Sequence, residues 1–226
     1  MKIGVFGDSY AEKSSDESSI WWGILNQTTE HNVTSHGETA SSIMFSAKKI
    51  LEHYQEYDLV IWLLTQSGRQ TVLYEGRPLH FTPGSGFEHH QNEHIRKKWS
   101  LYIDHWHSGL LDWESEKLNG KALVHYLNDI CKNVMVVPCF RDPLECDFNL
   151  FDLSNNEAKF YFGNKKFEYW HSQYEDLRTG HLSLVNQTIL SQEISKQLIP
   201  GIFQSSYSKF SNPVDPVEKL FKKYDF

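Results

Sequence analysis

Three observations predict an α/β fold built on a mostly parallel sheet. Short apolar runs at Lys2–Phe6, Asn32–Ser35, Asp58–Leu64 and Asn133–Val137 alternate with segments of helical periodicity. The run Asp58–Leu64 (DLVIWLL) has no polar alternation, the mark of a strand buried on both faces. The order strand, helix, strand is that of βαβ units, which place parallel strands side by side.

The elements follow in order. Lys2–Phe6 runs straight into Gly7-Asp8-Ser9, a buried strand entering a tight turn. Ser14–Ser19 is small and polar, a loop or cap before a helix over Ser18–Thr28 that carries Ile20, Trp21, Ile24 and Leu25 at helical spacing. Asn32–Ser35 is a second strand, stopped at Gly37. A helix over Ala40–Tyr54 places Ile43, Ala47, Ile50, Leu51 and Tyr54 on one stripe. After the third strand, Gly68–Leu111 is irregular and rich in Gly, Pro, His and Trp, with one helix near Asn92–His107. A connection of that length within a compact domain reads as a lid-like insertion or binding loop. A helix around Ser115–Cys131 then leads into the strand Asn133–Val137, ended by Pro138, and a last helix spans Leu184–Leu198. Phe148–Trp170 has no clear pattern. The domain is therefore expected to span about 1–200, with the insertion at about 69–111 and a tail over 201–226. A short amphipathic stretch, Val217–Tyr224, lies near the end of that tail.

Composition excludes several classes. With 226 residues, 39% of them hydrophobic, the chain can bury one sizeable core. A formal charge of −7 argues against general affinity for nucleic acid. Cys131, Cys139 and Cys146 are odd in number and lack metal spacing, as expected of free thiols in a reducing compartment. No signal-peptide pattern and no membrane-spanning run appear, so synthesis in the cytosol is expected, with residence there or in a virion left open. His89-His90-x-x-x-His94 and His105-x-His107 suggest a metal site, yet no carboxylate pattern accompanies them. Neither metal nor cofactor is expected.

Three short segments carry chemistry. Ser9 follows the first strand, where parallel sheets bind ligands and where backbone N–H groups can hold an oxyanion; a turn or capping duty is the alternative. Ser35-His36-Gly37-Glu38-Thr39 follows the second strand, and Gly37 either lets backbone approach a ligand or forms a plain left-handed turn. Asp176-Leu177-Arg178-Thr179-Gly180-His181-Leu182-Ser183 precedes the last helix, so that His181 can reach back toward the first strand or act as a helix cap.

In this order, from Met1 to about Leu198, the segments resemble the SGNH (GDSL-like) hydrolase family. The resemblance implies a flavodoxin-like, three-layer α/β/α sandwich. It also implies a serine esterase with Ser9 as nucleophile, His181 as base and an acyl-enzyme intermediate. The backbone N–H groups of Ser9 and Gly37 would hold the oxyanion. Two positions depart from the family. Its usual Asn after the third strand is replaced within Thr65-Gln66-Ser67-Gly68-Arg69, leaving Gln66, or a hydroxyl of Thr65 or Ser67, as third donor. Its usual Asp three residues before the histidine is Arg178, which makes Asp176 the candidate orienting acid. Arg69 is a candidate contact for a substrate carboxylate or phosphate, a structural ion pair being the other reading. Asp8 reads as a hydrogen-bonding residue of the turn.

The substrate implied is a small O-acyl ester, an O-acetylated carbohydrate among them. A lipid-directed thioesterase or lysophospholipase is the enzymatic alternative. A binding or virion protein of degenerate chemistry is the other, since the Thr65-x-x-Gly68-Arg69 and His181-Leu182-Ser183 pattern resembles SGNH-like proteins of tailed bacteriophages. No membrane span or nucleic-acid partner is expected.

Overall fold

The computed structural model describes residues 1–12, 17–81, 112–139, 182 and 184–203. Five strands form the central sheet: β1 (Lys2–Phe6), β2 (Asn32–Ser35), β3 (Leu59–Leu64), β6 (Val134–Pro138) and β7 (Gly201–Ile202). Their order is β2-β1-β3-β6-β7, and every pairing is parallel. A separate antiparallel hairpin joins β4 (Gln70–Tyr74) to β5 (Arg77–Phe81). The helices are α1 (Trp21–Thr28), α2 (Ile43–His53), α3 (Trp113–Ile130) and α4 (Leu184–Ser195).

Side-chain alternation along the strands divides the interior into two halves. Ile3, Val5, Leu59, Ile61, Leu63, Met135 and Val137 point to one face, against Trp21 and Leu25 of α1 and Leu190 and Ile194 of α4. Phe6, Val60, Trp62, Leu64, Val134 and Val136 point to the other, against Ile43, Ala47 and Ile50 of α2 and Val124 and Leu127 of α3. Strand β3 has every residue buried because it lies between these halves, which explains its unbroken apolar sequence. The result is the three-layer α/β/α arrangement expected.

Strands β1 and β2 keep their expected bounds, and α4 its expected start; α3 begins two residues earlier than expected, while α1 and α2 start later than periodicity suggests. Ala40 has φ 61°, a left-handed conformation that a helix cannot contain, so α2 begins only after Ser42, whose Oγ accepts from the Phe45 N–H at 3.2 Å. A 3-10 turn over Glu17–Ser19 likewise precedes α1.

Two expectations need correction. The start of the Gly68–Leu111 stretch is regular: it holds the β4–β5 hairpin, closed by Glu75 (φ 50°) and Gly76 (φ 77°) in the doubly left-handed turn that tight hairpins favour. The tail also begins later than position 201, since Gly201–Ile202 joins the sheet and Phe203 is buried. The remaining insertion and tail calls, 82–111 and 204–226, lie outside the described residues, as do Phe148–Trp170 and Cys146.

Helix α1 has Ile20 at its N-cap, which offers no side-chain acceptor. Gln187 of the neighbouring α4, distant in sequence, supplies one: its Oε1 accepts the buried Trp21 N–H at 3.0 Å. The Gln187→Leu substitution strands that N–H and is expected to cost about 1–3 kcal/mol. The check is a fall in the urea midpoint with an unchanged denaturant slope.

Candidate active site

The sheet order places β1 between β2 and β3, with successive chain connections leaving to opposite sides of it. The crevice at the carboxyl ends of β1 and β3 is the switch point where open α/β sheets bind ligands. Gly7-Asp8-Ser9 sits there. Gly7 has φ 145°, and a Cβ on it would lie 2.7 Å from both Cβ and the carbonyl oxygen of Leu63, so the turn requires glycine. From Ile3 to Ala11 every residue is buried except Ser9, which is partly exposed.

The turn is fixed on all sides. Asp8 is fully buried, and its carboxylate accepts from Tyr10 N–H (3.1 Å), Thr65 Oγ1 (2.8 Å) and Arg69 Nη1 (2.5 Å). The Gly7 carbonyl accepts from the Glu38 N–H at 3.1 Å and from Ser41 Oγ at 3.0 Å. Trp21 Nε1 donates to the Tyr10 carbonyl at 2.8 Å. Asp8 thus holds the turn, as its sequence position suggests, and ties the end of β1 to the segment after β3.

These contacts sort the candidates. Thr65 is completely buried and directs its only hydroxyl proton to Asp8, which removes it as an oxyanion donor in this arrangement. Gln66 is partly exposed, and the Ser67 hydroxyl is buried with no hydrogen-bond partner. Arg69 has its guanidinium in an ion pair with Asp8 and only a tenth of its side chain exposed; the structural reading of this residue is the one observed.

Gly37 makes its close approach to the chain itself. An added Cβ would fall 2.3 Å from the carbonyl carbon of Ala11, and Gly37 bridges to Glu12, so the β2–α2 loop is pressed against the end of the Ser9 turn. Gly37 is not in the left-handed region, which rules out the plain left-handed turn. Its N–H donates to Ser35 Oγ at 3.2 Å, and Ser35 Oγ donates in turn to the Ala11 carbonyl. The weak first contact must open before that N–H can serve an oxyanion. His36 anchors the loop from below, stacked between Phe6 and His53, with Nε2 2.5 Å from the Tyr57 hydroxyl.

Sequence reasoning missed a second fastening. His80 of β5 places Nδ1 2.9 Å from Thr71 Oγ1 and Nε2 3.2 Å from Glu38 Oε2, while the Ser42 N–H donates to Thr71 Oγ1 at 3.1 Å. The hairpin thereby grips the β2–α2 loop at two points.

His181, Asp176, Arg178 and Ser183 lie outside the described residues, as do His89, His90, His94, His105 and His107. Among the described residues no three His, Cys, Asp or Glu side chains gather as a metal site. No described helix is long and apolar enough to cross a membrane. Cys131 and Cys139 are buried free thiols, and burial raises the Cys131 thiol above its ordinary pKa.

Neither a family model nor a curated protein matches the chain. Among solved structures, it is similar to a protein assigned to the lipolytic G-D-S-L family from Desulfitobacterium hafniense, at 12% identity and a TM-score of 0.42 over 88% of this chain and 99% of that one. It is also similar to a lipase/acylhydrolase from Enterococcus faecalis, at 14% identity and a TM-score of 0.39 over 90% and 99% of the two chains. An acetyl xylan esterase follows at 12% identity and a TM-score of 0.35, over 89% of this chain and 75% of that one.

Two outcomes test the site's construction. Asp8→Asn leaves the Arg69 cation without its counter-charge and is expected to destabilise the protein by about 3–5 kcal/mol, measured by urea unfolding. The His80 ring is held below its ordinary pKa by burial, which outweighs the upward pull of Glu38; the Arg69 charge adds to the depression. Its stabilisation is therefore complete above about pH 6.5 and is lost as pH falls through the lower folded-state value. Wild type should lose more stability than His80→Gln on acidification through that range, read from urea midpoints at each pH.

Proposed function

We propose that the protein is a serine ester hydrolase of the SGNH type, with Ser9 as the nucleophile. The observation that carries this reading is the lone exposure of Ser9 in an otherwise buried stretch, on a braced turn at the β1/β3 switch point. A serine needed only for turn geometry gains nothing from being presented so rigidly at a ligand-binding edge.

His181 takes the Ser9 proton as the hydroxyl attacks the ester carbonyl, and then returns it to the leaving alcohol. Leu182, the next residue in the chain, is fully buried in the same core cluster as Tyr10 and Ala11, which supports this pairing. Asp176 orients and stabilises the imidazolium. The Ser9 and Gly37 N–H groups hold the oxyanion, Gly37 once released from Ser35. Gln66 supplies the third donor, with the unpartnered Ser67 hydroxyl as the other candidate. Water on the same path then hydrolyses the acyl-enzyme. Small O-acyl groups, O-acetyl on carbohydrate among them, are the substrates.

The test is hydrolysis of p-nitrophenyl acetate and butyrate, with a fluorophosphonate probe alongside. Ser9→Ala and His181→Ala should each lower kcat/KM by at least about 10³-fold while the proteins remain folded, and the probe should label Ser9 alone. An inert, unlabelled wild type would instead favour a binding or virion role.

A further inference from the structure

The loop between β2 and α2 holds one residue in a conformation it does not favour. The Ser41 N–H donates to the Glu38 carbonyl at 3.1 Å, closing a four-residue turn with Ala40 at its third position. Ala40 has φ 61°, where glycine or asparagine is the usual occupant because a Cβ crowds the neighbouring carbonyl. Such a residue persists only where its surroundings over-determine it, and outliers of this kind gather at working sites. What depends on this turn is the Gly7 carbonyl, two residues before Ser9, which accepts from the Glu38 N–H and from Ser41 Oγ. Gly37 stands immediately before the turn.

The β4–β5 hairpin spans both ends of the turn with a single cross-strand pair, Thr71 opposite His80. His80 Nε2 lies 3.2 Å from Glu38 Oε2, and a carboxylate only accepts, so Nε2 carries the ring proton. The neutral ring then accepts at Nδ1, from Thr71 Oγ1 at 2.9 Å. Burial, the largest influence on the ring, lowers its pKa and so favours that neutral form. Thr71 Oγ1 in turn accepts the Ser42 N–H at 3.1 Å. Three bonds therefore run in one direction, from Ser42 to Thr71 to His80 to Glu38, and each strengthens the next by polarising it. The chain leaves the loop at Ser42 and returns to it at Glu38, with Ala40 midway. The Phe45 ring meets the imidazole edge to face, centroids 4.9 Å apart, and restrains its tilt.

We propose that Thr71 and His80 are positioning residues: they hold the Glu38–Ser42 turn in its left-handed form, and through it the Gly7 carbonyl and Gly37 beside Ser9. The effect on turnover rests on the hydrolase reading, whereas the hold on the turn does not. A hairpin in need of anchorage alone would be indifferent to the conformation of Ala40; a clamp on this turn is not.

The experiment pairs kinetics with amide hydrogen exchange on the full-length protein. His80→Ala and Thr71→Val should each lower kcat on p-nitrophenyl acetate by at least about tenfold with KM within about threefold, as lost positioning and not lost binding requires. The Glu38 amide should exchange at least about tenfold faster in both, beyond any change at the Val60 amide of β3. His80→Gln should keep both readouts within about threefold of wild type, since its amide donates to Glu38 and accepts from Thr71. Ala40→Gly added to His80→Ala should recover at least about threefold in each, because glycine adopts the left-handed turn unaided. Unchanged Glu38 exchange in both variants overturns the proposal, and so does an unchanged kcat. Failure of either rescue also overturns it, because the loss would then arise elsewhere than in the turn. A wild type inert toward esters would sink the hydrolase reading alone, and the exchange series would still decide the clamp.

Discussion

A carboxylate without solvent contact at the end of a central strand has to be satisfied by the protein, and Asp8 is satisfied from three directions. One bond closes its own turn, and the other two reach across to Thr65 and Arg69 beyond β3. A buried ion pair of this kind brings little net stability, because desolvating both partners cancels most of their attraction. What it brings is position. The backbone on either side of Ser9 cannot shift without exposing a charge or stranding a donor. A side chain held in that way needs no reorganisation before it acts, which is where preorganised sites gain their rate.

The same logic extends outward through the β2–α2 loop. Its residues touch the Gly7 carbonyl from Glu38 and Ser41, the Ala11 carbonyl from Ser35, and the hairpin through Glu38 and Ser42. Glu38 works on both sides, its N–H on the Gly7 carbonyl and its carboxylate on His80. The hairpin is thus a brace for the loop that carries Gly37, and the chain places it directly after Arg69. A two-stranded ribbon has marginal stability by itself; here its two fastenings to the β2–α2 loop hold it in place.

Much of this frame was legible from the residues. Strands β1 and β2 kept their bounds because an apolar run ends abruptly at Gly7 and at the polar loop after Ser35. The β1 turn was legible for a similar reason, since Gly-Asp-Ser directly after an apolar run marks a tight turn. The hairpin was hidden by Pro78 and His80, which weaken the strand signal of Arg77–Phe81 although a two-stranded ribbon tolerates both. The left-handed Ala40 could not be foreseen, because tertiary contacts and not its own preference set its conformation. Asp8–Arg69 and Glu38–His80 join residues far apart in sequence, and periodicity carries no trace of such pairs. Where the Thr65 hydroxyl proton points is likewise decided by packing alone.

The contact between Asp8 and Arg69 also decides what Arg69 offers its surroundings. A guanidinium free of its counter-charge favours carboxylates and phosphates, its usual partners. Asp8 draws that charge inward, onto a carboxylate with no solvent contact. Neutralising Asp8 would accordingly do more than loosen the turn; it would leave an uncompensated positive charge only a tenth exposed at the carboxyl edge of the sheet. The buried pair therefore sets the position of the turn and the charge beside it through a single contact, so neither property can change without the other.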